Sequence, residues 1–129
     1  MILSENVHKL INQQISNELQ NSNLYFGFAN WCENKSLFGF SALFYKQVED
    51  ERTHARKFTD YLNDKNFFYY PDTIPSVGID FEGKGIVDFI SLSLNQEYKT
   101  TESIYAIQEA AIQDKDHMSR EFLNCLLIF

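Results

Sequence analysis

Cysteine, proline and glycine are all scarce in this chain of 129 residues, with two, two and five respectively. Two thiols, Cys32 and Cys125, supply neither a disulfide framework nor a four-cysteine metal cage, and they point to a reducing cytoplasm. Lys and Arg form no cluster and the formal charge is −7, which excludes a protein held to nucleic acid by phosphate contacts. No apolar run approaches a membrane span. The N-terminal stretch Met1-Ile2-Leu3-Ser4-Glu5-Asn6 lacks the basic start and apolar run of a secretory signal. What is present suits one globular domain over residues 1–129: 44% hydrophobic residues are too many for a disordered chain.

The few helix breakers are not scattered. Pro71, Pro75, Gly78, Gly83 and Gly85 all fall within residues 66–85, so that stretch is a long connection in an otherwise helical chain. Around it, apolar periodicity predicts helices at about 4–33, 37–63 and 86–113, and a short fourth segment at 116–129. Ser4 is the expected N-cap of the first helix, with Val7, Ile11, Tyr25 and Ala29 on its inner face. The second helix carries Phe40, Leu43, Phe44, Ala55, Phe58, Tyr61 and Leu62 on one stripe, and the third carries Ile86, Ile90, Leu94, Ile104 and Ala111. Asn34-Lys35-Ser36 and Asp114-Lys115-Asp116 read as turns, with Asp116 as a cap. A short turn joins antiparallel helices, and a long crossover carries the chain to a helix parallel to the last one. The fold class is therefore all-α, a helical bundle with one crossover between the second and third helices. The last residues, Phe122-Leu123 and Cys125 to Phe129, are almost wholly apolar and read as a bundle helix cut short.

Carboxylates interrupt the apolar stripes at their centres. Glu18 lies seven residues after Ile11 and seven before Tyr25; Glu51 stands in the same relation to Phe44 and Phe58, and Glu97 to Ile90 and Ile104. His54 follows Glu51 by three residues and shares its side of the helix. An ionised carboxylate buried alone costs several kcal/mol, so this set needs a shared multivalent cation. Oxygen ligands with one imidazole suit iron or manganese better than zinc in a thiolate cage. Glu18, Glu51-Arg52-Thr53-His54 and Glu97 match the glutamate and Glu-x-x-His kit of di-iron bundles. Taken singly, each feature has a plainer reading, as a solvated glutamate, a surface Glu-x-x-His or a packed tyrosine at Tyr25. Asp50 and Glu49 read as an exposed face, with Asp50 within reach of a metal entering the bundle. His8 and His117 read as surface residues, and Cys32 and Cys125 as core thiols.

At these residues the chain resembles a bacterial non-haem ferritin. The likeness is carried by residues 12–25, Trp31-Cys32, Glu49-Asp50-Glu51-Arg52-Thr53-His54-Ala55, Asn95-Gln96-Glu97, Lys115-Asp116-His117 and Phe122-Leu123. The resemblance implies a ferritin-like bundle with a ferroxidase site for two iron ions. Glu18, Glu51 and His54 would hold the tighter ion, Glu51 would bridge to a second that Glu97 also binds, and Tyr25 would stand beside the centre. Asp50 matches a carboxylate of a third iron site. It also implies Fe(II) oxidation by oxygen or peroxide and mineral storage in a shell of 24 subunits. The departure is the short fourth helix, where the family carries further ligands. It leads us to expect uncovered inner stripes, and a dimer or co-assembly with a full-length ferritin in place of the shell.

Three readings stand at this stage: an iron-oxidising ferritin, a shortened structural or co-assembling subunit without catalysis, and a piece of a longer product. Manganese or zinc remain open as occupants of the centre. A rubrerythrin-type peroxidase would need a second Glu-x-x-His and four cysteines, and a DNA-coating miniferritin lacks this ligand set within one chain.

Overall fold

The computed structural model describes residues 3–127. Four helices follow in order: α1 (Glu5–Asn34), α2 (Phe38–Asp64), α3 (Ile86–Gln113) and α4 (His117–Leu126). Among the described residues there is no strand, and no helix is long and apolar enough to cross a membrane. The helix ends fall within a residue or so of the predicted ones, except that α4 stops at Leu126. Ile128 and Phe129, which the apolar tail was read to include, lie outside the described residues.

Three of the four helices start where the sequence provides a side-chain cap, and α2, which follows Leu37, does not. Ser4 Oγ accepts from Val7 N at 3.0 Å, and Asp116 accepts from Ser119 N at 3.1 Å. Asp88 turns back to accept from Gly85 N at 2.8 Å. The first three helices share one way of ending. Leu37 N donates to Cys32 O, Phe67 N to Leu62 O and Asp116 N to Ala111 O, each at 2.8–2.9 Å. These bonds bridge six residues and close a left-handed turn at Ser36, Asn66 and Lys115 (φ 59°, 63° and 56°). No glycine marks any of the three, so the turns were legible only as polar breaks in the apolar pattern.

Two hydrophobic clusters fill the bundle. In one, Val7, Ile11 and Ile15 of α1 meet Ala55, Phe58 and Leu62 of α2, Ile104, Ile107 and Ala111 of α3, and Leu123 and Leu126 of α4. In the other, Leu24, Tyr25, Phe28, Ala29 and Cys32 meet Phe44, Val48 and Phe89. Residues 65–85 run along the outer face of α1, where Asn12, Ser16 and Gln20 sit one turn apart and hold them. Asn12 bonds both ways with the Tyr70 backbone (2.7 and 3.2 Å), Ser16 Oγ pairs with the Tyr69 hydroxyl (2.9 Å), and Gln20 donates to Ser76 O (3.3 Å). Phe81 then packs onto α1 at Gly27, where a Cβ would stand 3.2 Å from the ring. Gly27 thus makes room for the crossover.

The structure corrects several expectations about burial. Phe40 and Leu43 of α2 and Ile90 and Leu94 of α3 are exposed, although they lie on the predicted inner stripes; Leu43 keeps 61% and Leu94 55% of its surface. The reason is cover. α4 starts beside the C-terminal ends of α2 and α3, where Phe122 stacks on Tyr61 at 4.0 Å, and it ends at the level of Glu18 and His54. Beyond that level no described element lies over the α2–α3 seam. Cys125, expected in the core, is exposed because it falls on the outer face of α4, whereas Cys32 is buried. His8 is half-buried against Phe67 and not fully at the surface, while His117 is exposed.

Candidate metal centre

Between the two apolar clusters lies a polar belt. Glu18 of α1 is fully buried and Glu51 of α2 is 2% exposed. Both lie on inner faces because the seven-residue spacing from their apolar neighbours keeps them on the stripe. His54, one turn after Glu51, brings Nδ1 to 3.7 Å from Glu18 Oε2 and 3.9 Å from Glu51 Oε2. One ligand atom from each of the three lies within 4.8 Å of the others. Glu18 Oε1 accepts from Gln14 Nε2 at 3.0 Å. Glu18 Oε2 and Glu51 Oε2, however, are buried without a hydrogen-bond partner.

The electrostatics follow from that crowding. Burial pushes the Glu51 carboxyl up to about 10, with help from the adjacent Glu18 carboxylate and the charge of Glu97. Burial also raises Glu18, but the polar contacts of His54, Glu51 and Gln14 more than reverse it and hold Glu18 below the usual range. The two carboxyls titrate as a coupled pair, with Glu51 displaced upward and Glu18 downward. Two orphaned carboxylate oxygens facing one imidazole form an incomplete hydrogen-bonding set and together offer three donors to a cation. Such a cation would repay the desolvation of both carboxylates. The donors are two hard oxygens and one imidazole nitrogen, a mixture that suits iron and manganese and tolerates zinc.

The remaining predicted site residues are near but differently placed. Glu97, expected on a buried stripe, is exposed, for the same lack of cover that exposes Leu94. It lines the same cavity as Glu18 and His54, a space of about 60 Å³, and its Oε1 accepts from the Tyr25 hydroxyl at 2.7 Å. Tyr25 is 1% exposed. Burial raises its phenol strongly, with the Glu97 hydrogen bond and the charges of Glu97, Glu51 and Glu18 adding to the effect. Asp50 lies apart from the three and pairs with Lys46 at 3.1 Å on the α2 surface. Two polar side chains that the sequence reading passed over belong here. Gln14, one turn before Glu18, is 1% exposed, and Asn21, three residues after it, is 3% exposed. The signal was available: a carboxamide on an apolar stripe, one turn from a buried carboxylate.

Known proteins share this helical fold. The family model described as Ferritin-like domain matches residues 8–127. The bacterial non-heme ferritins of Staphylococcus aureus (strain USA300) and Staphylococcus epidermidis are each 32% identical over 126 residues, covering 98% of this chain and 75% of theirs. Among solved structures, Chlorobium tepidum ferritin superposes with a TM-score of 0.91 at 25% identity, covering 98% of this chain and 76% of that one.

Proposed function

This chain belongs to the ferritin-like domain family, and from that premise we propose that it takes up ferrous iron at Glu18, Glu51 and His54, oxidises it, and serves cytoplasmic iron storage. The observation that carries this reading is the pair of buried, unpartnered carboxylate oxygens on separate helices around one imidazole. Iron is the substrate: each ferrous ion gives one electron to oxygen or peroxide. The chain's own part is electrostatic. Glu18 and Glu51 become fully anionic when the cation displaces the Glu51 proton, and an anionic pair favours the more highly charged ferric ion. Glu97, tethered by Tyr25, is the carboxylate positioned to hold a second ion beside the first. Tyr25 keeps its proton and orients Glu97. Asp50 is a weaker candidate for a further ion, since Lys46 already neutralises it.

A second reading has its own support. The groove on α2 and α3, about 580 Å³, is lined by the exposed apolar side chains of Phe40, Leu43, Ile90 and Leu94. A shell subunit, a dimer, or a structural subunit that co-assembles with a longer ferritin without oxidising iron would each cover it. One experiment separates the readings. The protein is titrated anaerobically with Fe(II), admitted to air, and followed by ultraviolet absorbance and sedimentation. Stoichiometric iron-dependent absorbance that disappears in the E51A/H54A double variant supports oxidation. No absorbance change, with a discrete oligomer in solution, supports the structural subunit.

A further inference from the structure

Three carboxamides of α1 form a chain that ends on Glu18. Gln13 Nε2 donates to Asn17 Oδ1 at 3.1 Å, Asn17 Nδ2 donates to Gln14 Oε1 at 3.4 Å, and Gln14 Nε2 donates to Glu18 Oε1 at 3.0 Å. The residues are three and four apart, so each side chain meets the next along one side of the helix. Every link has the same polarity: each amide donates to the group that follows it in the chain. Gln13 is exposed, Asn17 is half-buried and lines an open cleft of about 200 Å³ between α1 and α3, and Gln14 is 1% exposed. The chain therefore runs from solvent to the buried carboxylate. At its end the two oxygens of Glu18 are unlike. Oε1 is taken by Gln14, while Oε2, buried without a hydrogen-bond partner, lies 3.7 Å from His54 Nδ1.

We propose that Gln14 is a positioning residue for the metal centre: by holding Glu18 Oε1, with its own amide held by Asn17, it leaves Oε2 as the single oxygen that Glu18 offers to a cation. The inference rests on the metal-centre reading above. A carboxylate free to turn about its terminal bond can offer an ion either oxygen, or both together. A donor fixed on one oxygen removes that choice, because chelation through both would break a hydrogen bond to a charged group. Asn17 contributes by orientation. Its donation occupies the oxygen of Gln14, so the end left for Glu18 is the one that carries the N–H groups. In a chain of like polarity each link also strengthens the next. Packing alone does not account for the arrangement. An apolar side chain of the same length would fill the buried position without the cost of taking an amide out of water.

The test uses Co(II), added anaerobically to the metal-free protein. The dissociation constant is measured by calorimetry, and the coordination is read from the visible Co(II) bands, which weaken as ligand atoms are added. Q14M keeps the length and bulk of the side chain and removes the donor. Its affinity should fall about tenfold, the usual cost of losing a hydrogen bond to a ligand of the metal. Its bands should weaken as Glu18 turns to chelate through both oxygens. N17L leaves Gln14 in place, removes its brace and keeps water from replacing it. Binding there should weaken about threefold, the size of a neutral hydrogen bond. Unchanged affinity or unchanged bands in Q14M overturn the proposal, as does a fall in Tm alone. Unchanged affinity in N17L overturns it too, because the chain and not one bond is proposed. Should Q14M fail to fold, N17L decides by itself. Failure of the unaltered protein to bind Co(II) would overturn the metal-centre reading, and this one with it. Equal binding by the unaltered protein and by Q14M would overturn this one only.

Discussion

Glu18 and Glu51 divide the bundle into two halves built from the same three long helices, and the halves differ in what covers them. In the half toward Leu62 and Ala111, α4 closes the α2–α3 seam, and the core is aliphatic with Phe58 at its centre. In the half toward Phe44 and Phe89, the crossover closes only the outer side. The core there is aromatic: Phe28 stacks on Phe89 at 4.8 Å and meets Phe44 edge-on at 5.4 Å, and Trp31 stands over Phe89. Large rings bury more area per residue than aliphatic side chains, so three helices and a loop can hold together where the other half uses four helices. The candidate metal centre sits at the boundary. One side of it is sealed by Phe58, Ile104 and Leu126, and the other opens toward Glu97 and the groove. Iron storage needs both conditions, a dry site that binds and a path by which ions arrive.

The largest expected effect sharpens that contrast. Phe58→Ala empties a site enclosed on all sides and should cost about 3–5 kcal/mol. Phe44→Ala removes a ring of the same size beside the open groove, where neighbours and water can collapse into the gap. It should cost about 1–3 kcal/mol. Urea denaturation of the metal-free protein measures both. Equal losses would break the comparison, because they would mean that the groove is covered in solution.

Helix number, helix ends, the crossover and the buried places of Glu18 and Glu51 were all legible in the sequence. Seven-residue spacing on a helix needs no tertiary knowledge, and Pro71, Pro75 and the clustered glycines marked the connection. The exposure of Phe40, Leu43, Ile90, Leu94 and Glu97 was not legible. Periodicity tells which residues share a face and says nothing of whether another helix lies over it. Cys125 failed for the related reason that a ten-residue helix offers too few turns to fix which side is inner. Gln14 and Asn21 were passed over because their role depends on a neighbour one turn away, and composition ranks carboxamides as surface residues. The outer stripe Asn12, Ser16 and Gln20 is as periodic as the core, but its partner is loop backbone, which carries no pattern of its own.

A second expected effect tests the boundary. The Glu51 carboxyl is raised in the folded, metal-free protein, so it contributes stability that is fully present below the ordinary carboxylate range. That stability is lost progressively as the pH rises toward about 10. Glu51→Gln keeps the shape and removes that loss. The variant should therefore gain on the unaltered protein as pH rises, by about 1–2 kcal/mol near neutrality, and melt about 3–6 °C higher. Added Co(II) or Zn(II) should reverse the order, since the unaltered protein gains stability by binding and the variant loses a ligand. A variant that melts lower at neutral pH without metal would show that Glu51 has partners enough of its own.

The smallest effect on stability bears on the open half directly. Leu43 and Leu94 both line the groove and are already mostly in water. Replacing both with glutamine removes little burial from a lone chain and should change its unfolding free energy by less than about 0.5 kcal/mol. If copies of the chain associate through this face, as its apolar area favours, the same pair of changes removes the centre of the contact. Sedimentation should then shift from an assembly to the 15.1 kDa monomer, with iron uptake at Glu18, Glu51 and His54 retained. The two measurements together locate the cover. A stability loss of several kcal/mol places it within one chain, and a change of mass without loss of stability places it between chains. No change in either shows that the groove stands open to solvent and is available as the route by which ions reach Glu97.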